Sequence, residues 1–289
     1  MSYGKQDLGI ANVSNSIDNT YTKNTSNEYD NDSLVDVIET NPYEKSDRRK
    51  GYLTLIGGVS LMLYLGCFFL WGNISIYVLS YFYEFNNNLS LGFVFSVDMF
   101  LVGFQCIGYN LGTFLLNRLR LHPKLVIFLG CGLALSGVYF SSFTKSLLPF
   151  FSMYCMLNGI GCGIGYLTPL VCSWEYFPEK KGLVTGIIVG AYGFGSFIFT
   201  IISTKLVNPT KADPTIETDY ATFFDSSVAD RVPYMLRTLV YIWCCFVILS
   251  LCLVTRKPKD RVLQEEAARL ERETKAQANQ ADKQNDSME

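Results

Sequence analysis

The stretch that decides the fold lies at 159–196 and reads GIGCGIGYLTPLVCSWEYFPEKKGLVTGIIVGAYGFGS. Two apolar runs rich in glycine flank a short polar segment, WEYFPEKKG, which ends at Gly182. An apolar helix of about 20 residues is long enough to cross the hydrocarbon core of a bilayer. The pattern therefore predicts two membrane-spanning helices joined by a tight polar turn.

Outside this stretch, further apolar segments occupy the middle of the 289-residue chain, which brings their number to six. Hydrophobic residues make up 49% of the sequence and charged residues only 17%, and the charges concentrate towards the two ends. The six segments lie at about 53–82, 90–116, 124–143, 147–174, 182–205 and 233–255. The sequence therefore predicts an all-α membrane protein whose six transmembrane helices occupy 51–257.

The two ends of the chain are polar. Residues 1–50 are rich in Asn, Ser, Thr and Asp and can bury little apolar surface, which predicts a disordered tail. Residues 258–289 are highly charged and contain Glu–Arg and Glu–Lys pairs at helical spacing, which predicts a partly helical tail. No cleavable signal peptide is expected, because the first long apolar run begins only after residue 50 and is too long for one.

Positive charges flank alternate ends of the six segments. Lys and Arg cluster at 48–50, 118–124, 180–181 and 256–261, whereas the other connections carry few of them and the 206–232 loop is acidic. Because Lys and Arg favour cytosolic loops, both termini are predicted to be cytosolic. The 206–232 loop is long for a helix connection and is predicted to fold as a cap on the opposite side of the membrane.

Composition excludes several classes of function. All nine cysteines fall in apolar segments without metal-ligand spacing, so neither a metal site nor a disulfide framework is expected. There is no basic patch with interleaved aromatic residues of the kind that binds nucleic acid. There is also no catalytic constellation and no phosphate-binding Walker loop. We therefore expect no enzyme activity, no cofactor, no nucleic-acid partner and no process driven by ATP.

Glycines recur at regular spacing in the fourth and fifth segments. Helix association in lipid depends on close packing, and small residues let helix backbones approach each other. The residues concerned are Gly159, Gly161, Gly163, Gly165, Gly186, Gly190, Gly193 and Gly195. The spacing predicts that the fourth and fifth helices form one tightly packed pair, and both a static packing role and a sliding, gated contact are open.

The short polar segment at 174–182 and the fifth apolar segment also carry a recognisable motif. FPEKKGLVTG at 177–186, followed by GAYGFG at 190–195, resembles the inner loop and fifth helix of the major facilitator superfamily. More narrowly, it is similar to the oxalate/formate antiporter and monocarboxylate transporter-like branch. The residues that match the inner-loop motif are Phe177, Pro178, Lys180, Lys181 and Gly182. The resemblance covers about 51–260 and implies the N-terminal six-helix half of such a bundle, built from a 3+3 helix repeat.

The chain departs from the family in two respects. The loop GTFLLNRLRLHPK at 112–124 lacks the Asp that, in the family, helps to lock the two halves together on the cytosolic side. The family also has twelve helices in two halves, with the substrate held between them near mid-membrane. One half cannot enclose a substrate, so three explanations are open: an incomplete copy of a longer protein, pairing with a second copy or a separate second half, or loss of transport.

Two polar residues of the second segment are candidate site residues, because ionisable groups inside a membrane are costly and usually functional. Asp98 is a candidate for proton coupling or gating, and its alternative role is that of a carboxylate near the outer interface, hydrogen-bonded to Ser96 or water. Gln105, seven residues later, lies on the same helix face and either extends a polar track or forms a helix–helix hydrogen bond.

Four aromatic residues with polar tips complete the candidates. The resemblance places aromatic side chains from helices one, four and five around the substrate, which favours Tyr166 and Tyr192. Tyr64 and Trp71 of the first segment are further candidates. The alternative for all four is packing within an aromatic-rich bundle.

The resemblance implies a secondary transporter, or half of one, that moves a small organic anion such as a monocarboxylate by alternating access. Its expected partners are membrane lipid, the anion, and a homodimeric copy or a separate second half. The alternative function comes from a different class: a six-helix membrane scaffold or regulatory subunit that binds a partner and transports nothing.

Overall fold

The structure is a computed structural model that describes residues 42–85, 91–217, 222–258 and 260–262, with the single positions 270 and 274. By internal contacts the chain divides into Met1–Lys45 and Ser46–Glu289, and the second unit holds the helices that pack together. Of the first unit, the described part is the start of one helix. The predicted N-terminal disorder and most of the predicted charged C-terminal tail lie outside the described residues.

The described chain is almost entirely helical. Short 3₁₀ segments at Gly66–Leu70 and Pro178–Lys180 and π-helical segments at Phe114–Arg118 and Ser152–Leu157 adjoin the α-helices. Two short strands, β1 (Ile216–Glu217) and β2 (Thr222–Phe223), pair antiparallel. The α-helices are α1 (Pro42–Leu65), α2 (Trp71–Tyr83), α3 (Leu91–Thr113), α4 (Pro123–Ser141), α5 (Leu147–Phe151), α6 (Asn158–Tyr176), α7 (Lys181–Val207), α8 (Ser226–Ala229) and α9 (Val232–Leu253).

Six helical stretches of the described chain are long and apolar enough to cross a membrane, which confirms the predicted fold class. At a rise of about 1.5 Å per residue, each covers the hydrocarbon core or most of it. They are called spans one to six and comprise Ser46–Tyr83, Ser96–Arg118, Pro123–Ser141, Leu147–Tyr176, Pro178–Val207 and Ser226–Leu253. All nine cysteines lie within these spans as free thiols.

Span four packs against spans two and three through its glycines. A Cβ atom at Gly163 would lie 2.7 Å from Gly108 Cα of span two, and one at Gly161 would lie 2.5 Å from the Gly130 carbonyl oxygen of span three. Gly165 faces span three as well, with a Cβ position 3.3 Å from Cys131 Sγ. Each of these helix pairs therefore approaches backbone to backbone.

The prediction that spans four and five form the glycine-packed pair is wrong. Residues two apart on an α-helix point to nearly opposite sides, so alternating glycines cannot share one contact face. Gly161 and Gly165 face span three, and Gly159 and Gly163 face span two. The alternation thus builds two separate close contacts, neither of which is with span five.

Span five instead makes its close contact with span one. A Cβ atom at Gly195 would overlap the Leu63 carbonyl oxygen, and one at Gly66 would overlap the Tyr192 carbonyl oxygen. Gly66 also begins the 3₁₀ segment that interrupts span one at this crossing. By contrast, a Cβ atom at Gly182, Gly186, Gly190 or Gly193 would meet no described atom within 4 Å.

Polar side chains tie span one to its neighbours. Asn73 Nδ2 donates to Ser203 Oγ and Thr204 Oγ1 of span five at 3.3 and 3.0 Å. Ser60 Oγ donates to the Phe246 carbonyl oxygen of span six at 3.0 Å. Such bonds are each worth about 0.6 kcal/mol inside a bilayer, so they fix register more than they add stability.

The predicted cap folds against the end of span one. Phe223 and Phe224 stack on Tyr83 and Tyr77 with ring centroids 4.7 and 4.8 Å apart. The Phe224 backbone N–H donates to Ser80 Oγ at 2.9 Å. This end of the unit is acidic: partial burial, followed by the nearby carboxylates of the loop, raises the pKa of Glu84.

The opposite end holds an ion pair that the sequence did not suggest. Arg256 Nε lies 2.9 Å from Glu175 Oε1, and both side chains are largely buried, at 25% and 16% exposure. Glu175 Oε2 is buried and has no hydrogen-bond partner among the described residues. The pair joins the end of span four to the segment that follows span six.

Replacing Arg256 with Gln is expected to destabilise the unit, because it leaves a mostly buried carboxylate without its counter-charge. The expected loss is about 2 kcal/mol, below the value for a fully buried pair because solvent still reaches both groups. Unfolding in detergent followed by circular dichroism measures it. The double variant Glu175→Gln/Arg256→Gln should recover most of the loss, and a double variant no more stable than Arg256→Gln would contradict this role.

Candidate functional site

Four polar side chains from three spans meet on one side of the unit. Gln105 Nε2 lies 3.5 Å from the Tyr192 hydroxyl, a long hydrogen bond between spans two and five. The Tyr166 ring of span four contacts Tyr192 edge-on at 5.4 Å and Tyr109 at 5.2 Å. We call these four residues the tyrosine–glutamine cluster.

The glycine contacts explain why these side chains meet. Gln105 and Tyr109 are four residues apart on α3 and therefore share one face. The backbone contact of Gly163 with Gly108 brings that face next to α6, where Tyr166 follows one turn later. Tyr192 is fixed in the same way, since its own carbonyl oxygen lies against Gly66. The close helix contacts therefore fix the positions of the cluster side chains.

The cluster lies at the boundary between the buried interior and an accessible surface. Gln105 and Tyr192 are 5% and 9% exposed. Phe69, whose ring contacts Tyr192 edge-on at 5.2 Å, is 57% exposed. The side chains that form the cluster carry hydroxyl and amide groups and no formal charge. They combine hydrogen-bonding groups with aromatic rings next to an exposed side chain, a composition typical of small-molecule sites.

Two of the predicted aromatic residues are not part of the cluster. Tyr64 is 1% exposed and its ring contacts Trp243 of span six at 5.8 Å. Trp71 is fully buried, and its ring contacts Tyr154 at 5.3 Å. Both side chains pack in the core of the unit, which is the alternative role given to them from the sequence.

Asp98 lies on α3, the helix that also carries Gln105 and Tyr109, but it is not part of the cluster. Its side chain is exposed, whereas Gln105 two turns later is buried. Asp98 is close enough to Tyr154 and Cys155 of span four to interact with them electrostatically. The carboxylate therefore lies near the start of span two, two helical turns before the cluster residue Gln105.

The inner-loop motif forms the turn between spans four and five. Pro178 begins a one-turn 3₁₀ helix that ends at Lys180, and Lys180 and Lys181 are exposed. Phe177 contacts the Tyr52 ring at the start of span one at 5.5 Å. Gly182 has open space around its Cα. The motif thus anchors the turn through its aromatic residue and leaves its two cations free of the core.

Sequence reasoning missed three contributors to these sites. Tyr109 completes the cluster, and its signal was present, since it lies four residues after Gln105. Phe69 gave no distinguishing signal in an aromatic-rich segment. Across the inner turn, Trp174 Nε1 donates to Thr185 Oγ1 at 2.8 Å, a bond that steadies the turn from both spans. Within the described ranges, no group of three or more His, Cys, Asp or Glu side chains is arranged to hold a metal ion.

Comparison with known proteins gives several transporters as relatives, and no protein-family model matches the chain. The chain is 28% identical over 233 residues to apicoplast pyruvate carrier 1 of Toxoplasma gondii, which covers 67% of this chain and 42% of that protein. It is 28% identical over 173 residues to the uncharacterized MFS-type transporter YhjX of Escherichia coli, covering 58% and 40%. Rat monocarboxylate transporter 13 is 28% identical over 107 residues, covering 37% and 24%.

The matches confirm the resemblance drawn from the inner-loop motif, although the oxalate/formate antiporter branch stays a prediction. The chain spans less than half the length of these relatives. The relatives are transporters, and six apolar helices make this chain a multi-pass membrane protein. By its sequence relatives and its architecture, the chain is similar to major facilitator superfamily transporters of the monocarboxylate transporter-like kind.

Proposed function

We propose that the chain forms a six-helix half of a secondary transporter that moves a small organic anion, such as a monocarboxylate, by alternating access. The observation that carries the proposal is the tyrosine–glutamine cluster, in which spans two, four and five bring one amide and three tyrosine rings together beside the exposed Phe69. The relatives support the substrate class, since one is named a pyruvate carrier and others are named monocarboxylate transporters. No observation favours a non-transporting scaffold.

The chemistry of the cluster matches both the carboxylate group and the carbon chain of a small monocarboxylic acid. The Gln105 amide and the tyrosine hydroxyls can donate hydrogen bonds to carboxylate oxygens. The faces of Tyr109, Tyr166 and Phe69 supply apolar surface for the carbon chain. An anion leaves water at a large cost unless its charge is neutralised, and this cluster carries no cation. We therefore propose that the anion moves together with a proton, and that Asp98 carries that proton on its way.

The second half of the transporter is proposed to be another six-helix unit, since one half cannot enclose a substrate. A longer product of the same gene, a separate protein and a second copy of this chain each fulfil that need. The mass of the protein in native membranes, read from an immunoblot, distinguishes them. A product about twice the mass of this chain supports the first. For a product of this mass, chemical cross-linking then distinguishes a second copy of this chain from a separate protein.

Both termini are proposed to lie in the cytosol. The basic end of the unit, where spans one and three begin and span six is followed by Arg256, would then face the cytosol. The acidic end with Glu84 and the cap would face the other side. Accessibility of an epitope at each terminus, before and after selective permeabilisation of the membrane, tests this orientation.

Uptake by proteoliposomes tests the proposed function. The native-length product is expected to take up radiolabelled pyruvate saturably when the outside is acidic, with competition by lactate and not by glycerol. Empty liposomes prepared in the same way give the background. Uptake no higher than that background, from protein that is folded and monodisperse, would exclude the proposal and leave a non-transporting role.

Replacing Asp98 with Asn is expected to abolish accumulation driven by a proton gradient, because an amide cannot carry a proton. Exchange of internal for external pyruvate, which needs no net proton movement, should persist at close to the wild-type rate. The control is Asp213→Asn, an exposed acid in the loop after span five. Wild-type accumulation in Asp98→Asn would remove this residue from the mechanism.

A further inference from the structure

A cavity of about 400 Å³ opens at the basic end of the unit, away from the tyrosine–glutamine cluster. It lies where the start of span one, the start of span three, the end of span four and the segment after span six come together. The lining residues that matter for its chemistry are Lys50, His122, Lys124, Tyr176, Thr255 and Arg256. None of its lining residues belongs to the tyrosine–glutamine cluster.

The cavity has an excess of positive charge. Three of its lining residues are cationic, and none of those described is acidic. Arg256 is paired with Glu175, but within the described chain neither Lys50 nor Lys124 forms an ion pair. Lys124 Nζ makes one long contact, 3.5 Å to the Cys252 carbonyl oxygen. Among the described residues, two lysine charges therefore remain uncompensated around a concave surface, which favours binding of an anion.

Neutral donors add to this charge. His122 Nδ1 accepts a hydrogen bond from the Lys124 backbone N–H at 3.3 Å, so the ring proton of the neutral form resides on Nε2. The same residue precedes the N-terminus of α4, a helix of 19 residues whose dipole places partial positive charge at this end. The Tyr176 and Thr255 hydroxyls share a hydrogen bond of 3.1 Å on the cavity wall.

The surface next to the cavity is apolar. On α4, the exposed side chains that begin directly after Lys124 are Leu125, Phe128 and Leu129, with 43%, 60% and 44% exposure. On α9, Ile248 and Leu249 are 60% and 46% exposed and lie about two turns before Arg256. Spans three and six thus present hydrocarbon surface on the membrane side of a cationic cavity. A ligand with an anionic head and apolar tails matches both surfaces.

We propose that this cavity binds the phosphate-bearing headgroup of an anionic phospholipid, with the acyl chains lying along α4 and α9. The phosphate oxygens accept hydrogen bonds from Lys50, Lys124 and His122. Basic pockets between transmembrane helices at the cytosolic face are suited to such headgroups. The adjoining apolar surface favours a lipid over a soluble phosphate, which would use the charges and leave that surface unoccupied.

Native mass spectrometry of the full 289-residue chain in detergent tests the proposal, with phosphatidylinositol 4-phosphate as the probe and phosphatidylcholine as the neutral comparison. Wild type is expected to retain the anionic lipid in preference to the neutral one. The double variant Lys50→Gln/Lys124→Gln should bind it about thirtyfold more weakly, from the usual contribution of two cations near an anionic lipid. The matched control is Lys180→Gln/Lys181→Gln, which removes the same charge from the exposed inner turn.

Three outcomes would overturn the lipid assignment. One is equal retention of the anionic lipid by wild type and Lys50→Gln/Lys124→Gln. Another is an equal loss in the control variant, which would indicate a general charge effect. The third is displacement of the lipid by inositol phosphate or inorganic phosphate at equal concentration, which would assign the cavity to a soluble phosphate. Unchanged thermal unfolding of both variants shows that a loss of binding reflects the cavity and not the fold.

Discussion

Replacing Gly195 with alanine is expected to prevent the six-helix unit from folding. The added Cβ atom would overlap the Leu63 carbonyl oxygen and lie 2.9 Å from Leu63 Cα, and these are backbone atoms in the middle of span one. Backbone held within two packed helices cannot move aside as a flexible side chain can. The expected cost is about 3 kcal/mol or more, measured as loss of monodisperse protein on size exclusion and of cooperative thermal unfolding.

Gly190 provides the matched control on the same helix. A Cβ atom there meets no described atom within 4 Å, so Gly190→Ala makes the same chemical change without a clash. Because alanine favours the helix over glycine, Gly190→Ala should unfold at the same temperature as wild type or higher. If Gly195→Ala instead folds as well as Gly190→Ala does, the contact between spans one and five is not as close as described.

Replacing Gln105 with Leu is expected to reduce pyruvate uptake about tenfold in kcat/KM, with the fold intact. The change removes one donor from the proposed binding surface and leaves the buried Tyr192 hydroxyl without its partner. Tyr192→Phe should have an effect of similar size. Because the two side chains share a hydrogen bond, the double variant should lose less than the product of the two single effects. Uptake kinetics in proteoliposomes measure all three variants.

Tyr234→Phe is the control for these tyrosine and glutamine variants. Tyr234 lies in span six, is 59% exposed and takes no part in the cluster. Its loss of a hydroxyl should leave kcat/KM unchanged. Equal impairment in Tyr234→Phe, or wild-type kinetics in Gln105→Leu, would show that the cluster has no specific role in transport.

The six-helix fold class could be predicted because each membrane-spanning helix is specified by its own stretch of sequence. Each span is a run of apolar residues long enough to cross a bilayer, and this property is visible in the sequence without any partner. The helix contacts could not be predicted in the same way, because glycine spacing shows which faces are small and not which helix they meet. Gly161 and Gly163 show the difficulty: two residues apart, they contact different helices.

The sequence predicted three members of the candidate site, but it could not show which other candidates lie outside it. Tyr166, Tyr192 and Gln105 were each identified from residue type and position, and the structure brings them together. Tyr64 and Trp71 have the same chemistry but are buried in the core, which depends on the rotation of span one about its axis. Nothing in a local pattern fixes that rotation. The Glu175–Arg256 pair was missed for a related reason, since its members lie 81 positions apart in the chain.

The most direct measurement is equilibrium binding of radiolabelled pyruvate to the purified protein, by scintillation proximity, in wild type and in Gln105→Leu/Tyr192→Phe. Wild type should bind saturably and release the label to excess lactate. The double variant, folded to the same extent, should bind at least about tenfold more weakly. Equal binding by the two proteins, or no saturable binding by the folded native-length product, would contradict the assignment of the tyrosine–glutamine cluster as the monocarboxylate site.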